Sequence, residues 1–579
     1  MIRKGILTRI SNFHILIAVF SLFLLLKCAI SFAAVPLPGS VYPSRIPQTV
    51  PRPQQVSRAL APVKTAQQAA PSLGPEAAKI KFPLEKVILE GNTVYSDQQL
   101  SALYQDKIGT VISVADLMNI VQSITNFYRN NGYILSRAVL PPQHIEHGTV
   151  HIRIVEGYID QVNILGSPKN AKPLLESYAI RIQQSKPLKL QVMERYLYLA
   201  NDIPGMQVQS VLEPSKTKNL SVADLNMIAN QRYFTGYISY DDFQSRYLGP
   251  LETTGNFNVN SGFIPGDSMH FTYLTSTKFP RLHYDDISYE TPLGTKGLRV
   301  LFGGNESVTS PGFVLTPTVL NGDSKDYYGT LTYPVLRSRS NNLTLDGGFL
   351  YVDSTETFSK ADLQLYTDHI RSLRAGGSYD FYDRFNGSNL LIAHIEKGFP
   401  IWGATTNPTS TTTSRFGATA NFIKLTAQAT RVQQLSGPFQ AYITLQGQEA
   451  FVPLLVYEQY GYGGAILGRG YDPSELLGDQ GLAGTVELRY NAYPAWKVLQ
   501  SAQLFAFFDA GVVWNRKTAG GLSSKISANS TGVGVRFNFT SNLSGTWTIA
   551  QPLTKQESTL ELIGRGKVPR TLFSITAST

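Results

Sequence analysis

From about Gln231 to the C-terminus the sequence alternates. Segments of roughly ten residues carry apolar side chains at every second position and are separated by clusters of Gly, Asn, Asp, Ser and Thr. Phe439, Ala441, Ile443 and Leu445 alternate with Gln440, Tyr442, Thr444 and Gln446. Val486, Leu488 and Tyr490 alternate with Thr485, Glu487, Arg489 and Asn491, while Val533, Val535, Phe537 and Phe539 alternate with Gly532, Gly534, Arg536 and Asn538. Successive side chains of a strand point to opposite faces, so each segment predicts a strand with one apolar face. A membrane barrel with a wet lumen fits this pattern, and so does a soluble sandwich.

Two features favour the barrel. Arg3, Lys4 and Arg9 precede an apolar core from Ile15 to Leu26, and Ser31-Phe-Ala33 supplies small residues for cleavage, so residues 1–33 are expected to be a secretory signal peptide. Charged residues are only 16% and aromatic residues 11%, a balance that suits a β-rich envelope protein. No later apolar run reaches the roughly 20 residues a spanning helix needs, so a membrane form of this chain must cross as a barrel. Residues 232–579, at roughly 22 per strand and loop, predict about 16 antiparallel strands.

Between leader and barrel the periodicity is helical. Ser96-Asp-Gln-Gln99 and Ser113-Val-Ala-Asp116 are capping boxes, and the second opens a helix with Val114, Leu117, Ile120, Val121, Ile124, Phe127 and Tyr128 on one face, ended by Gly132. With strands at Lys86 to Leu89, Tyr133 to Leu140 and Val150 to Ile154, residues 80–157 form a β-α-α-β-β module. Tyr158 to Gly166, the helix Lys189 to Asn201 and strands near Val208 to Leu212 and Leu220 to Met227 repeat the order over 158–231. The edge strand of such a module can accept an extended peptide through main-chain hydrogen bonds. Residues 34–79 are rich in Pro, Gln, Ser and Ala and are expected to be a linker, with a short helical pattern at Gln54 to Ala70 that Pro62 interrupts.

Enzyme and nucleic-acid signals are missing. The net charge of +10 is scattered rather than striped. Cys28, the only cysteine, falls in the leader, so the mature chain lacks disulfides and thiolate ligands. His144-Ile-Glu-His147 is too short for a zinc motif, no phosphate-cradling loop or nucleophile elbow is present, and His270, His283, His369 and His394 are expected in loops or lumen. We expect no catalytic residue, cofactor or metal.

The densest motif is Gly463-Gly-Ala-Ile-Leu-Gly468-Arg469-Gly470-Tyr471, in which glycines present one arginine at a tip. About forty residues on, Ala506, Phe508, Ala510, Val512 and Trp514 make one apolar face, and Asp509 sits on the other beside bare Gly511. Asp509 is a suitable acceptor for the Arg469 guanidinium. A plain turn with a solvated arginine is the alternative.

Leu467-Gly-Arg-Gly-Tyr471 and Phe507-Phe-Asp-Ala-Gly511 together resemble the loop-and-strand pair of the polypeptide-transporting outer-membrane barrel superfamily. Gly132-Tyr-Ile-Leu-Ser-Arg-Ala-Val-Leu-Pro-Pro-Gln143, Gly148-Thr-Val150 and Val155-Glu-Gly157 resemble the POTRA module of its haemolysin-activator (ShlB/FhaC/HecB) branch. Thr291-Pro-Leu-Gly-Thr-Lys-Gly297, Tyr333-Pro-Val-Leu-Arg-Ser-Arg339, Tyr379 to Asp383, Gly447 to Ala450 and Glu458-Gln-Tyr460 extend the likeness along the barrel.

The resemblance implies a two-partner secretion transporter in the outer membrane of a Gram-negative cell. Its POTRA modules would lie in the periplasm and capture an unfolded haemolysin or adhesin of β-helical type. Its barrel would sit in lipid, be inserted by the barrel assembly machinery and carry a loop near 461–484 folded inward. It also implies a lumen motif of Gly468, Arg469, Gly470 and Tyr471 against Asp509 and Gly511, and a plug helix near 54–70. The alternative is an assembly or insertion factor for other barrels, against which two modules rather than five count. Gly468 stands where the family usually has Val, and the chain ends Phe573-Ser-Ile-Thr-Ala-Ser-Thr579 rather than on an aromatic residue.

Overall fold

Two reciprocal caps set the first module. In the computed structural model, Ser96 Oγ accepts the Gln99 N–H and the Gln99 side chain accepts the Ser96 N–H, starting the helix Asp97–Ser101. Ser113 and Asp116 do the same for Val114–Asn130. Each cap is worth about 1 kcal/mol. Leu117, Ile120, Val121, Ile124 and Tyr128 of the long helix are buried on a three-stranded sheet with Thr149–Val155 in the centre, Lys86–Glu90 parallel to it and Arg137–Val139 antiparallel. A further pair, Lys81–Leu84 with Thr110–Ser113, merges in the sequence with its neighbours. Glu156 ties the loop after the first sheet strand to the long helix, accepting from Thr93 N (2.8 Å), Val94 N (3.0 Å) and Tyr128 Oη (2.8 Å). Burial pushes this carboxyl up, but the Thr93, Val94 and Tyr128 hydrogen bonds outweigh it and hold Glu156 below the usual glutamate range.

The second module repeats the arrangement. Val222–Gln231 is its central strand, parallel to Tyr158–Ser167 and antiparallel to Met206–Pro214, with helices Lys172–Gln183 and Leu190–Asn201 on one side. Met206–Pro214 is an outer edge. Asn201 closes its first rung, with Asn201 Nδ2 donating to Val208 O (3.1 Å) and Asn201 Oδ1 accepting Val208 N–H (2.9 Å). In an antiparallel pair alternate residues face outward, so the main-chain groups of Ser210 and Leu212 face the same open side as those of Val208.

The barrel closes with 16 antiparallel strands, from Phe234–Asp241 to Arg570–Ser578. Each strand neighbours the next in the chain, and the last returns to the first through a short seam from Ser574↔Asp241 to Ser578↔Tyr237. Alternation sets the faces. Phe302, Phe349, Leu373, Leu445, Val486, Leu488 and Val533 are about half exposed on the outside and form an apolar band, while Thr444, Thr485, Glu487, Asp509 and Ser530 point inward and are buried. The second module joins the end where the first strand begins, so the turns at 261–267, 293–298 and 338–340 face it.

The structure describes residues 37–50, 59, 75–215, 222–360, 363–493, 498–516, 525–554 and 567–579. The expected signal peptide lies outside the described residues, and so does the helical pattern at 54–70 apart from Ala59. Within the stretch expected to be a linker, residues 37–50 instead lie inside the barrel as short turns, Gly39–Val41, Pro43–Arg45 and Ile46–Thr49, with Val41, Ile46 and Arg45 fully enclosed. Pro-rich composition predicts no periodic structure. It does not preclude burial when another part of the chain supplies the walls.

Candidate functional site

The loop between the eleventh strand, Phe439–Ala450, and the twelfth, Gln480–Ala492, turns back into the lumen on a small ladder, Tyr460–Tyr462 with Leu476–Gly478. Its tip carries Arg469. The arginine reaches the twelfth and thirteenth strands, the latter Ser501–Trp514, where register places Thr485 opposite Asp509. Arg469 Nε donates to Asp509 Oδ2 (3.0 Å) and Nη2 to Asp509 Oδ1 (2.7 Å), a planar two-point contact, while the Arg469 backbone N–H also reaches Oδ2 (2.9 Å). Nη2 further donates to Thr485 Oγ1 (2.7 Å) and Nη1 to Glu487 Oε1 (2.6 Å). The guanidinium carbon lies 3.4 Å from the centroid of the Phe507 ring, a stacked cation–π contact.

Glu487 is shared. Arg489 Nε donates to it at 2.7 Å, and Arg536 of the fourteenth strand, Lys525–Asn538, at 3.1 Å. Three guanidiniums therefore face two carboxylates, with Arg489 stacked on Tyr442 and Arg536 on Phe505, each at 3.9 Å. Arg469, Asp509 and Glu487 are 3%, 0% and 1% exposed, so removing Arg469 leaves the Asp509 carboxylate buried with no guanidinium partner.

The glycines have separate reasons. Gly468 has φ +77°, a left-handed conformation that valine resists, and a Cβ there would meet the Tyr462 ring at 2.8 Å. On the barrel wall a Cβ at Gly511 would meet Tyr462 Cδ2 at 2.3 Å. Tyr462 is thus seated between the two, and Gly511 makes room for this ring rather than for Arg469. Gly470 passes the fourteenth strand, where its N–H reaches Ser530 Oγ (3.3 Å). Tyr471 is buried, with Oη donating to Asn529 O (2.8 Å) and Thr554 O (3.1 Å). Its carbonyl accepts from Arg570 at the start of the last strand, which also donates to Phe243 O (3.0 Å) just past the first. One loop therefore touches both the Asp509 wall and the seam.

Residues 37–50 complete the lumen as a strap against both limbs of the loop. A Cβ on Gly39 would meet Ser474 O at 2.2 Å. Arg45 donates to Gln459 O (2.6 Å), Tyr457 O (3.1 Å) and Ser474 Oγ (3.2 Å), and Val41 O accepts Thr309 Oγ1 (3.1 Å).

The residues singled out in sequence fall in one cluster, Gly468 to Tyr471 with Asp509 and Gly511. Sequence reasoning placed Thr485, Glu487, Arg489 and Arg536 on polar strand faces without joining them to Arg469, and missed Arg570 and Arg45 altogether. Their lumen-facing alternation was a usable signal for the first four. Of the histidines, His270 lies in the lumen beside Asn258 Oδ1 (2.7 Å) and His394 beside Asp346 (3.0 Å). Among the described residues no group of three or more His, Cys, Asp or Glu side chains could hold a metal ion.

Comparison with known proteins agrees with this architecture. Residues 221–537 match the model of the haemolysin secretion/activation protein family ShlB/FhaC/HecB, and residues 82–157 match the ShlB-type POTRA domain. The heme/hemopexin transporter protein HuxB of Haemophilus influenzae strain 86-028NP is 24% identical over 502 residues, covering 82% of this chain and 84% of that protein. The outer membrane transporter CdiB of Dickeya dadantii is 23% identical over 499 residues, covering 83% and 85%. The solved structure of CdiB from Escherichia coli aligns with a TM-score of 0.71 at 17% identity, over 90% of this chain and 94% of that one.

Proposed function

Since this chain belongs to the haemolysin secretion/activation family ShlB/FhaC/HecB, we propose that it captures its client as an extended strand on the periplasmic modules and exports it by releasing the loop and strap that fill the lumen. It is a two-partner secretion transporter of the outer membrane, with POTRA in the periplasm and a 16-strand barrel through which an exoprotein passes. The observation that carries the proposal is the pairing of Arg469 with Asp509 and Glu487 across a filled lumen. A client cannot pass while that contact and the Arg45 strap both stand.

The second module is taken as another POTRA, because it repeats the strand and helix order of the first. Its edge Met206–Pro214 supports capture, since the outward main-chain groups of Ser210 and Leu212 ask little of the client's sequence. The client is an unfolded haemolysin or adhesin of β-helical type. Its folding outside the cell would supply the driving force, as no nucleotide-binding motif occurs in the sequence. Outer-membrane lipid covers the apolar band, and the barrel assembly machinery inserts the protein.

Deletion of the chain from its own cell tests this. A large β-repeat protein should vanish from the medium and accumulate or be degraded in the periplasm, with the other outer-membrane barrels unchanged. Depletion of those barrels with secretion intact would assign the chain to barrel insertion instead.

A further inference from the structure

Two motifs of the barrel have no part in the lumen contact: Thr291 to Gly297 and Tyr333 to Arg339. They come together at the barrel end that faces the second module, and the helix Leu190–Asn201 lies on both. Arg195 projects from this helix and donates to Lys296 O and Val335 O, each at 3.0 Å. Leu199 fits over Gly297, where a Cβ would meet Leu199 Cδ2 at 2.7 Å and Pro334 Cγ at 2.9 Å; the φ of +90° there also disfavours any side chain. At the helix end, Arg337 grips Asp202 with two parallel bonds, Nε to Oδ2 at 2.7 Å and Nη2 to Oδ1 at 2.8 Å, and lies 4.9 Å from the Tyr198 ring centroid. Main-chain acceptors, a glycine seat and a planar ion pair make a shaped dock rather than a passing contact.

Arg337 has one bond left, and it leads inward. Its Nη1 donates to Asn342 Oδ1 (2.9 Å), Asn342 Nδ2 to Asp380 Oδ2 (3.4 Å), and Asp380 Oδ1 accepts the backbone N–H of Ala59 (2.9 Å). Ala59 is buried, and its carbonyl accepts Ser388 Oγ at 2.6 Å. The arginine that holds the second module therefore also braces the wall that holds the Ala59 backbone.

We propose that Arg337 is a positioning residue for export: it fixes the second module on the barrel mouth and, through Asn342 and Asp380, holds the backbone of Ala59 against the barrel wall. Displacing the module frees both. This rests on the export reading above, but it concerns what holds the pore mouth rather than what passes through it. A positioning role differs from a merely structural one in that the barrel stays folded while Ala59 loses its hold on the wall.

The experiment uses the full-length protein in outer-membrane vesicles, in a Cys28→Ser background with Ala59→Cys as the reporter and a maleimide as the probe. Arg337→Ala and Asp202→Ala should each raise the labelling rate at 59 and lower the initial export rate by about tenfold, as expected for loss of a charge-assisted pair. The double mutant should match either single mutant, because one interaction is lost in all three. Arg337→Lys should recover only part, having a point charge in place of the fork. Heat-dependent gel mobility should not change in any variant. Unchanged labelling in Arg337→Ala, or labelling changes that add in the double mutant, would overturn the proposal. Failure of the parent protein to export would count against the export reading alone, because labelling at 59 still reports on the dock.

Discussion

Replacing Arg469 by alanine removes four side-chain hydrogen bonds, two to Asp509 and one each to Glu487 and Thr485, together with the stack on Phe507. The two acids left behind are not equally exposed to the loss. Glu487 keeps Arg489 and Arg536, whereas Asp509 keeps only the residue-469 N–H and Ser530 Oγ (3.3 Å). Breaking a buried pair costs about 3–5 kcal/mol when nothing replaces it. With those remaining donors we take about 3 kcal/mol, roughly a hundredfold in the ratio of docked to undocked loop. Asp509→Ala leaves Arg469 its contacts with Glu487 and Thr485, so its cost should be nearer ~2 kcal/mol. The double mutant should then be little worse than Arg469→Ala alone, and Arg469→Lys intermediate. The assay is protease cleavage within 463–475 in outer-membrane vesicles, measured beside the export rate and the heat-dependent gel mobility. Faster cleavage and slower export in a barrel of normal mobility is the expected result. Additive defects in the double mutant, or an uncleaved loop in Arg469→Ala, would refute the reasoning.

Gly511→Ala should mimic Arg469→Ala in loop cleavage, since its methyl group would collide with the Tyr462 ring at 2.3 Å while leaving every charge in place. Leu212→Pro removes an outward N–H from an edge strand where proline is tolerated, so binding of an unfolded client segment to residues 75–231 should fall several-fold, with thermal stability of the modules nearly unchanged; a matching loss of stability would argue against capture at this edge. Glu156, held below its usual range, contributes stability that is fully present above the unfolded value of about 4.3 and is lost as pH falls from there through the lower folded value. Glu156→Gln should accordingly flatten the pH dependence of first-module unfolding on the acid side of about pH 4.3, as followed by circular dichroism.

The features legible in the sequence are those fixed by local periodicity. Strand alternation, both serine caps and the glycine-flanked arginine are written in windows of ten to twenty residues, and the strand count follows from length. What is not local was not legible. Glu487 and Arg536 could be assigned to a polar face, but bringing them to Arg469 requires the register Thr485↔Asp509↔Ser530, set by pairing across three strands. The helix Lys172–Gln183 escaped because Ala171 offers no capping side chain and its apolar face is weak. Arg45 sits among prolines that signal irregular chain, and its acceptors at Tyr457, Gln459 and Ser474 come from a distant part of the chain.

That separation has a consequence for biogenesis. The contact of Arg45 with Gln459 spans 414 positions, so the Arg45 seat is incomplete until the eleventh strand and its following loop exist. Contacts of such range carry a large closure entropy and form late. The closing seam needs Ser574 to Ser578, which follow that loop in the chain, so every wall of the Arg45 seat is present before the ring can close. The seam contacts of Arg570, reaching Tyr471 on one side and Phe243 on the other, allow the loop to settle as the final strand arrives. The order of the chain thus lets residues 37–50 be enclosed as the ring closes, with no need to thread them into a finished pore.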